Sequence, residues 1–291
     1  MEPTNKPLIS VVIPVYNEEA RVGRAIRSML DQTWKNLEVI VVDDHSTDGT
    51  AEVIKEMAQK DPRLSYHLLP GRSPNRTNWR GYDINAGWAA RAYGFKIAKG
   101  DWITTQDSDD ATLLNRIEVE YFLAQKYSAT MVSVTWLECK EDLVGKTLDV
   151  EHLIKDKGEE AIVIRPAEIN KIVSECYGPL MHLPFHRLIP FPIKWFPWTR
   201  WLFWGTYHNY PGGSDNSVMF KREIITKGIN LRARNERTWG VPSGRGSGRD
   251  FLMHTAHALK NNWSFRLPLY LWDVRQDNPE YPVEAYREYI K

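Results

Sequence analysis

The chain has 291 residues, 42% hydrophobic and 26% charged, enough for one large or two small domains with a filled core, which excludes a disordered polypeptide. Its 38 basic residues against 37 acidic ones leave a formal charge of +1, so any role with nucleic acid or an anionic membrane must rest on a local patch. Two cysteines, Cys139 and Cys176, far apart and outside any CxxC pair, argue against a disulfide framework or a zinc site and suit a reducing cytoplasm.

The polar N-terminus, Met1 to Pro7, lacks signal-peptide architecture, and no uncharged apolar run is long enough to cross a bilayer. Ile9 to Val15 is a continuous apolar run, as in a strand buried on both faces, and Pro14 is expected to end it. Arg21 to Leu30 carries Val22, Ile26 and Met29 at helical spacing. Leu37 to Val42 is a second β-branched run that stops at Asp43 and Asp44. Ser46, Thr47 and Asp48 are N-cap candidates for a helix bearing Val53, Ile54, Met57 and Ala58. Leu64 to Leu69 reads as a third strand, and 70–82 as a polar loop with Arg72, Arg76 and Arg80. Asn85 to Ala98 reads as a helix capped by Gly100, and Trp102 to Thr105 as a short strand entering Asp107-Ser108-Asp109-Asp110. Right-handed crossovers turn this order into a doubly wound sheet whose ligands sit beyond the C-terminal strand ends. Asp43, Asp44 and Asp107 to Asp110 are therefore expected in one crevice.

Past Asp110 the pattern loosens. Leu113 to Tyr127 is a predicted helix, Thr130 to Leu137 a predicted strand, and Glu141 to Glu160 a charged surface excursion. Tyr177 to Gly213 is rich in Pro and aromatics. A short strand at Ser217 to Phe220, an Arg- and Gly-rich loop at Leu231 to Gly248, a helix at Asp250 to Leu259 and a strand-like Phe265 to Trp272 complete the chain.

Three carboxylates within four residues, Asp107, Asp109 and Asp110, repel one another unless a cation or solvent relieves them. Oxygen-only ligation suits Mg²⁺ or Mn²⁺, which can bind a diphosphate and stabilise it as it departs. The same residues also suit a solvated helix N-terminus, and a D-x-D pattern alone does not separate the two readings. Asp43 and Asp44 fit turn chemistry, or a carboxylate accepting from a nucleobase imide or a ribose hydroxyl. Tyr16 can pack on a flat base.

The pieces gain specificity together. Ser10-Val11-Val12-Ile13-Pro14-Val15-Tyr16-Asn17-Glu18 precedes Ser28-Met29-Leu30-Asp31-Gln32-Thr33, then Glu38 to Thr50 with its Asp43-Asp44, then Ala98-Lys99-Gly100-Asp101-Trp102-Ile103 and Gln106-Asp107-Ser108-Asp109-Asp110. This series, over roughly the first 120 residues, resembles the family-2 inverting glycosyltransferases of the GT-A fold. The resemblance implies an α/β, Rossmann-like domain with a mostly parallel central sheet flanked by helices. Residues 1–127 would be its nucleotide-sugar half and 128–291 its acceptor half. It also implies that Pro14, Tyr16 and Glu18 border the nucleotide and that Asp44 binds the base, usually uracil. Asp107 would approach the ribose and share a Mn²⁺ or Mg²⁺ with Asp109, with Asp110 behind them. In Ala90-Arg91-Ala92-Tyr93-Gly94, Ala92 stands where the family has Asn; the retained Arg91 would face a phosphate or be an exposed helix arginine. Asn216 to Glu223 resembles the family's later strand and turn. In Gly248-Arg249-Asp250, Arg249 replaces the usual Glu, and Asp250 would be the base that deprotonates the acceptor, or else a helix N-cap. His254 and His257 follow on the same helix.

Arg232, Arg234, Arg237, Arg245 and Arg249, with Gly244, Gly246 and Gly248, resemble a lid over a diphosphate as much as a solvated loop. Trp195, Trp198, Trp201 and Trp204 are read as core or subunit interface ahead of an acceptor wall or a membrane-surface dock. The expected enzyme is a cytoplasmic, metal-dependent transferase using a UDP-sugar, with a glycan, lipid-linked or other hydroxyl acceptor and with peripheral membrane contact through Trp195 to Trp204 as an option. Transfer to hydroxylated nucleic-acid bases, suggested by the arginine loops, is disfavoured by the near-zero charge. A non-catalytic binding module of the same fold is the reading from another class.

Overall fold

A computed structural model describes residues 6–72, 87–181, 183–194, 196–206, 208–214, 216–233, 236–239, 246–274 and 279–291. The first apolar run forms β1 (Ile9–Val15), buried at every residue, and the next forms β2 (Leu37–Asp43). β3 (Leu64–Leu68) lies parallel to β2, which lies parallel to β1, and β4 (Trp102–Thr105) lies parallel to β1 on its other side. The crossovers carry α1 (Val22–Leu30), α2 (Thr50–Lys60) and α3 (Trp88–Ile97). Strand alternation sorts the core. Ile9, Val11, Ile13 and Val15 meet Val22, Ile26 and Met29 of α1 and Ile54 of α2 on one face. Val12, Ile40 and Val42 meet Ala90, Ala92 and Phe95 of α3 on the other.

Pro14 does not end β1; it lies within the strand, opposite Val42. Even-numbered residues of β1 face β4, as the Val12 carbonyl does when it accepts from Gln106 N–H at 3.1 Å. β4 pairs with β1 only as far as Val12, so the N–H that proline lacks has no ladder position to fill. The capping of α2 also differs from expectation. Gly49 is its N-cap, while Asp48 accepts from the Thr50 N–H (3.1 Å) and hydroxyl (2.5 Å), and Ser46 donates to Asp43.

The second half continues through β5 (Ala111–Thr112), α4 (Arg116–Lys126), β6 (Met131–Glu138), α5 (Val150–Lys157), α6 (Glu159–Ile162), β7 (Val163–Ile164) and α7 (Pro166–Glu175). α8 (Phe191–Lys194), α9 (Arg200–Phe203), β8 (Val218–Lys221), α10 (Glu223–Thr226), α11 (Ser247–Leu259) and β9 (Asn262–Trp272) follow. The sheet order is β3-β2-β1-β4-β8-β6-β9-β5, with β7 on β9. β8 runs antiparallel to both β4 and β6, so a parallel first half passes into a mixed second half. The charged 141–160 excursion is anchored: Leu148 and Leu153 are buried in the cluster that holds Tyr286 and Tyr289. No helix among the described residues is long and apolar enough to cross a membrane.

Candidate active site

Two loops at the C-terminal edge of the parallel strands are clamped into one unit. Asn17, in the left-handed region at φ 53°, accepts through its side chain from Thr47 N–H at 2.8 Å. The Thr50 hydroxyl accepts from Glu18 N–H at 2.8 Å, and the Glu19 carboxylate accepts from Gly49 N–H at 3.0 Å. This places Pro14, Tyr16 and Glu18 beside Asp44, which is buried and donates its main-chain N–H to the Val15 carbonyl at 2.9 Å. Asp43 serves the turn: it accepts from Ser46 N–H at 2.8 Å, from the Ser46 hydroxyl at 2.7 Å and from the Tyr66 hydroxyl at 3.0 Å.

Beyond β4, ligand atoms of Asp107, Asp109 and Asp110 lie within 4.8 Å of one another. Arg91 is no exposed helix arginine; it is 4% exposed, and its guanidinium donates to Asp107 Oδ1 at 2.5 Å. Asn216 Nδ2 donates to Asp107 Oδ2 at 3.1 Å. Asp110 is fully buried, accepting from the Tyr270 hydroxyl at 2.6 Å and from Asp273 N–H at 2.7 Å. Asp109 keeps 37% of its side chain exposed, with Arg21 Nη1 at 3.8 Å. Arg21 also grips Glu18 with two hydrogen bonds, at 2.8 and 2.9 Å, so one guanidinium links the first loop to the acidic turn. Arg24 donates to the Asp109 carbonyl at 2.5 Å and pairs with Asp273. Burial, then the neighbouring carboxylates, raise Asp109 and hold Asp110 well above the ordinary carboxylate range. Burial raises Glu18 as well, with Arg21 opposing.

The donor set fits a hard divalent ion: it is all oxygen, negatively charged and open at Asp109, with Asp107 and Asp110 oriented from behind. Tyr270, Asp273, Arg21 and Arg24 were not singled out by the sequence. The one signal was a hydroxylated ring within the apolar run Leu267, Leu269, Leu271.

Asp250 is a separate construction. It sits in the first turn of α11 but does not cap it; Gly246 is the N-cap. Its fully buried carboxylate accepts from Arg232 Nε (2.8 Å) and Nη2 (2.7 Å), and from the N–H groups of Thr238 (2.7 Å) and Trp239 (2.9 Å). The described loop arginines, Arg232, Arg237 and Arg249, turn inward. Arg237 is buried and donates to the Arg232 carbonyl at 2.9 Å. Arg249 donates to the His208 carbonyl at 3.0 and 2.7 Å and to the Trp239 carbonyl. Arg76, Arg80, Arg234, Arg245 and Gly244 lie outside the described residues. His254 packs over Trp239, and burial lowers it to about 4, which keeps it neutral; His257 stacks on Tyr177. A cavity of about 640 Å³ lies against the first turns of α11, lined by Trp136, Gly213, Ser214, Gly246, Arg249 and Glu280 among others. Ser214 on its wall bonds to Asn216, which in turn holds Asp107.

Of the core or subunit-interface reading of the tryptophan series, core holds for Trp204, 6% exposed, while Trp198 and Trp201, exposed by 80% and 64%, lie on the surface of the single chain. Trp195 lies outside the described residues.

The profile of Glycosyl transferase family 2 matches residues 10–78 and 84–178. An uncharacterized glycosyltransferase of Haemophilus influenzae is 37% identical over 125 residues, 42% of this chain and 45% of that protein. The GalNAc(5)-diNAcBac-PP-undecaprenol beta-1,3-glucosyltransferase of Campylobacter jejuni is 33% identical over 154 residues, 52% of this chain and 45% of that protein. The chain thus spans less than half the length of these relatives. Among solved structures, S. aureus TarS 1-349 in complex with UDP-GlcNAc superposes with a TM-score of 0.55 at 15% identity, over 93% of this chain and 59% of that one. The mannosyltransferase PcManGT of Pyrobaculum calidifontis, in complex with GDP-Man and Mn²⁺, gives 0.50 at 16% identity, over 97% and 59%. These neighbours share the GT-A fold. Because the profile covers more than half of the chain, including β2, β3, β4 and the acidic turn after β4, the chain belongs to glycosyl transferase family 2.

Proposed function

We propose that this chain is a metal-dependent, inverting glycosyltransferase that moves a sugar from a UDP-sugar to an acceptor hydroxyl. One observation carries the reading: Glu18, Asp44 and three mutually close carboxylates meet at the ends of β1, β2 and β4. The UDP-GlcNAc complex of TarS and the GDP-Man and Mn²⁺ complex of PcManGT support a nucleotide-sugar with a divalent ion. Asp44 accepts from the base, Pro14 and Tyr16 wall it, and Arg91 and Asp107 face the ribose and phosphate side. Asp109 and Asp107 would hold Mn²⁺ or Mg²⁺, which when bound neutralises diphosphate oxygens as their charge develops.

The acceptor enters the cavity lined by Ser214 and by Arg249 of α11. Its hydroxyl oxygen attacks the anomeric carbon while the bond to the diphosphate oxygen breaks on the opposite face, and the proton passes to Asp250. Because Asp250 is covered by Arg232, Thr238 and Trp239, this step requires those three residues to move off its carboxylate. A lipid-linked glycan is the acceptor class supported by the Campylobacter relative, whose name specifies an undecaprenol-linked glycan. Such an acceptor would be met at the cytoplasmic face of a membrane.

Thermal-shift titration with UDP-sugars and Mn²⁺, followed by turnover assays, tests this reading. Asp250→Asn is expected to lower kcat by about 10²–10⁴-fold while the donor Kd stays unchanged, with Tm as the control for Arg232 left facing a neutral partner. Absence of donor binding to folded protein in either metal overturns the reading. Full turnover by Asp250→Asn removes Asp250 from it.

A further inference from the structure

Six of the nine exposed large apolar side chains among the described residues fall within residues 185–201: Phe185, Leu188, Ile193, Phe196, Trp198 and Trp201. They do not dangle from an unpacked segment. Beneath them Met181, Phe203 and Trp204 form a small core of their own. Trp204 Nε1 donates to the Lys194 carbonyl at 2.9 Å, Leu180 N–H to the Leu202 carbonyl at 2.8 Å, and Gly205 N–H to the Cys176 carbonyl at 3.2 Å. Gly178 lets this layer close, since a Cβ there would collide with the Phe203 and Trp204 backbone. The apolar side chains are therefore turned outward on a folded base. Pro190, Pro192 and Pro197 cut the segment into single helical turns, so it can lie on a surface and cannot cross one.

Charge identifies the surface. Residues 176–214 contain no Asp or Glu, in a chain where 37 of 291 residues are acidic. Arg187 and Arg200 stand exposed among the apolar side chains. A second copy packed through the same patch would set these arginines against their own kind with no carboxylate in the segment to pair them. Anionic lipid headgroups supply the missing charge, and tryptophan and phenylalanine at headgroup depth are the usual apolar anchors of an interfacial segment. We infer that the 185–201 face docks on an anionic lipid bilayer. The inference stands apart from the sugar-transfer reading, since binding to lipid requires neither donor nor metal.

Cosedimentation of the full chain with vesicles of phosphatidylcholine, alone or with about 30% phosphatidylglycerol, tests it. Binding is expected on the anionic vesicles and should weaken with salt. Trp198→Ala combined with Trp201→Ala should weaken it by at least about tenfold. Arg187→Gln combined with Arg200→Gln should remove the anionic preference, a loss of roughly 30-fold. All four side chains are exposed, so unchanged Tm and unchanged nucleotide binding serve as folding controls. Quenching of wild-type tryptophan fluorescence by brominated lipid gives a readout that needs no variant. No binding to anionic vesicles at low salt overturns the inference, as does equal binding by the tryptophan variant. A dimer that the tryptophan variant turns into monomer, without vesicle binding, assigns the face to a second copy and overturns it as well.

Discussion

At the scale of single residues, the acidic turn depends on groups from distant parts of the chain. Tyr270 is the clearest case: its hydroxyl donates to Asp110 at 2.6 Å and accepts from Asp107 N–H at 3.1 Å, joining the last strand to both ends of the motif. Tyr270→Phe is expected to cost about 1 kcal/mol of stability and to weaken Mn²⁺-dependent nucleotide binding roughly tenfold or more. Calorimetric titration of UDP with Mn²⁺ checks this; an unchanged Kd would show that Asp110 needs no such support. Glu120 behaves differently. It is fully buried, Arg116 Nε lies 3.6 Å away, and neither carboxylate oxygen has a hydrogen-bond partner among the described residues. Burial pushes it up to about 7 from an ordinary 4.5, against the pull of Arg116. A folded-state value above the unfolded one means that the protonated form favours folding. Its contribution is complete below pH 4.5 and is lost as pH rises through 7, a difference of roughly 3 kcal/mol. Glu120→Gln, permanently neutral, should therefore melt several degrees above the parent at pH 8 and close to it near pH 5. Melting curves at the two pH values decide it, and a variant less stable at pH 8 would show that the ion pair outweighs the burial.

At the scale of elements, legibility followed burial. β1, β2 and β4 are covered on both faces, so their apolar runs are continuous and their bounds could be read to within a residue. The two-residue β5 and β7 have too few positions to show a period, and α7 went unread within a stretch whose neighbours are irregular. The site divided in the same way. The loops of Pro14 to Glu18, Asp44 and Asp107 to Asp110 follow directly from strand ends. The cover over Asp250 could not be read, because Arg232 meets it through tertiary folding across 18 residues. The substitution of Arg249 for the family's Glu became intelligible only in three dimensions, where the guanidinium straps α11 to the His208 and Trp239 carbonyls. Gly94, in contrast, has a local physical reason for being in its motif. A Cβ at this position of α3 would collide with the Val12 side chain of β1, so glycine sets how closely the helix that carries Arg91 approaches the sheet. Gly94→Ala gains helix propensity of about 1 kcal/mol but overpacks the α3–β1 contact by about 1–3 kcal/mol. Net destabilisation is expected, together with weaker nucleotide binding as Arg91 is displaced from Asp107. Denaturant unfolding checks the first effect, and a variant of higher stability would show that α3 does not bear on Val12.

At the scale of the whole molecule, the N-terminal and C-terminal halves contribute strands to one sheet. β8 lies between β4 and β6 with antiparallel pairing on both sides, so the parallel strands of the first half have no free edge where the second half begins. β9 then returns Tyr270 and Asp273 to Asp110, and Arg24 of α1 reaches forward to Asp273. Cutting near residue 127 would leave the β4 edge open, strip Asp110 of the partners that orient it and expose Ile103 and the apolar side of α4. Groups so interleaved are expected to unfold together. The intact chain should show one calorimetric transition with van't Hoff and calorimetric enthalpies in agreement. UDP with Mn²⁺, which would contact the first half, should move that whole transition upward rather than split it. A fragment of residues 1–127 should lack a cooperative transition and show no metal-dependent UDP binding. Two separable transitions, or a fragment that folds and binds, would mean that the acidic turn is organised by the first half alone and that Tyr270 merely packs against it.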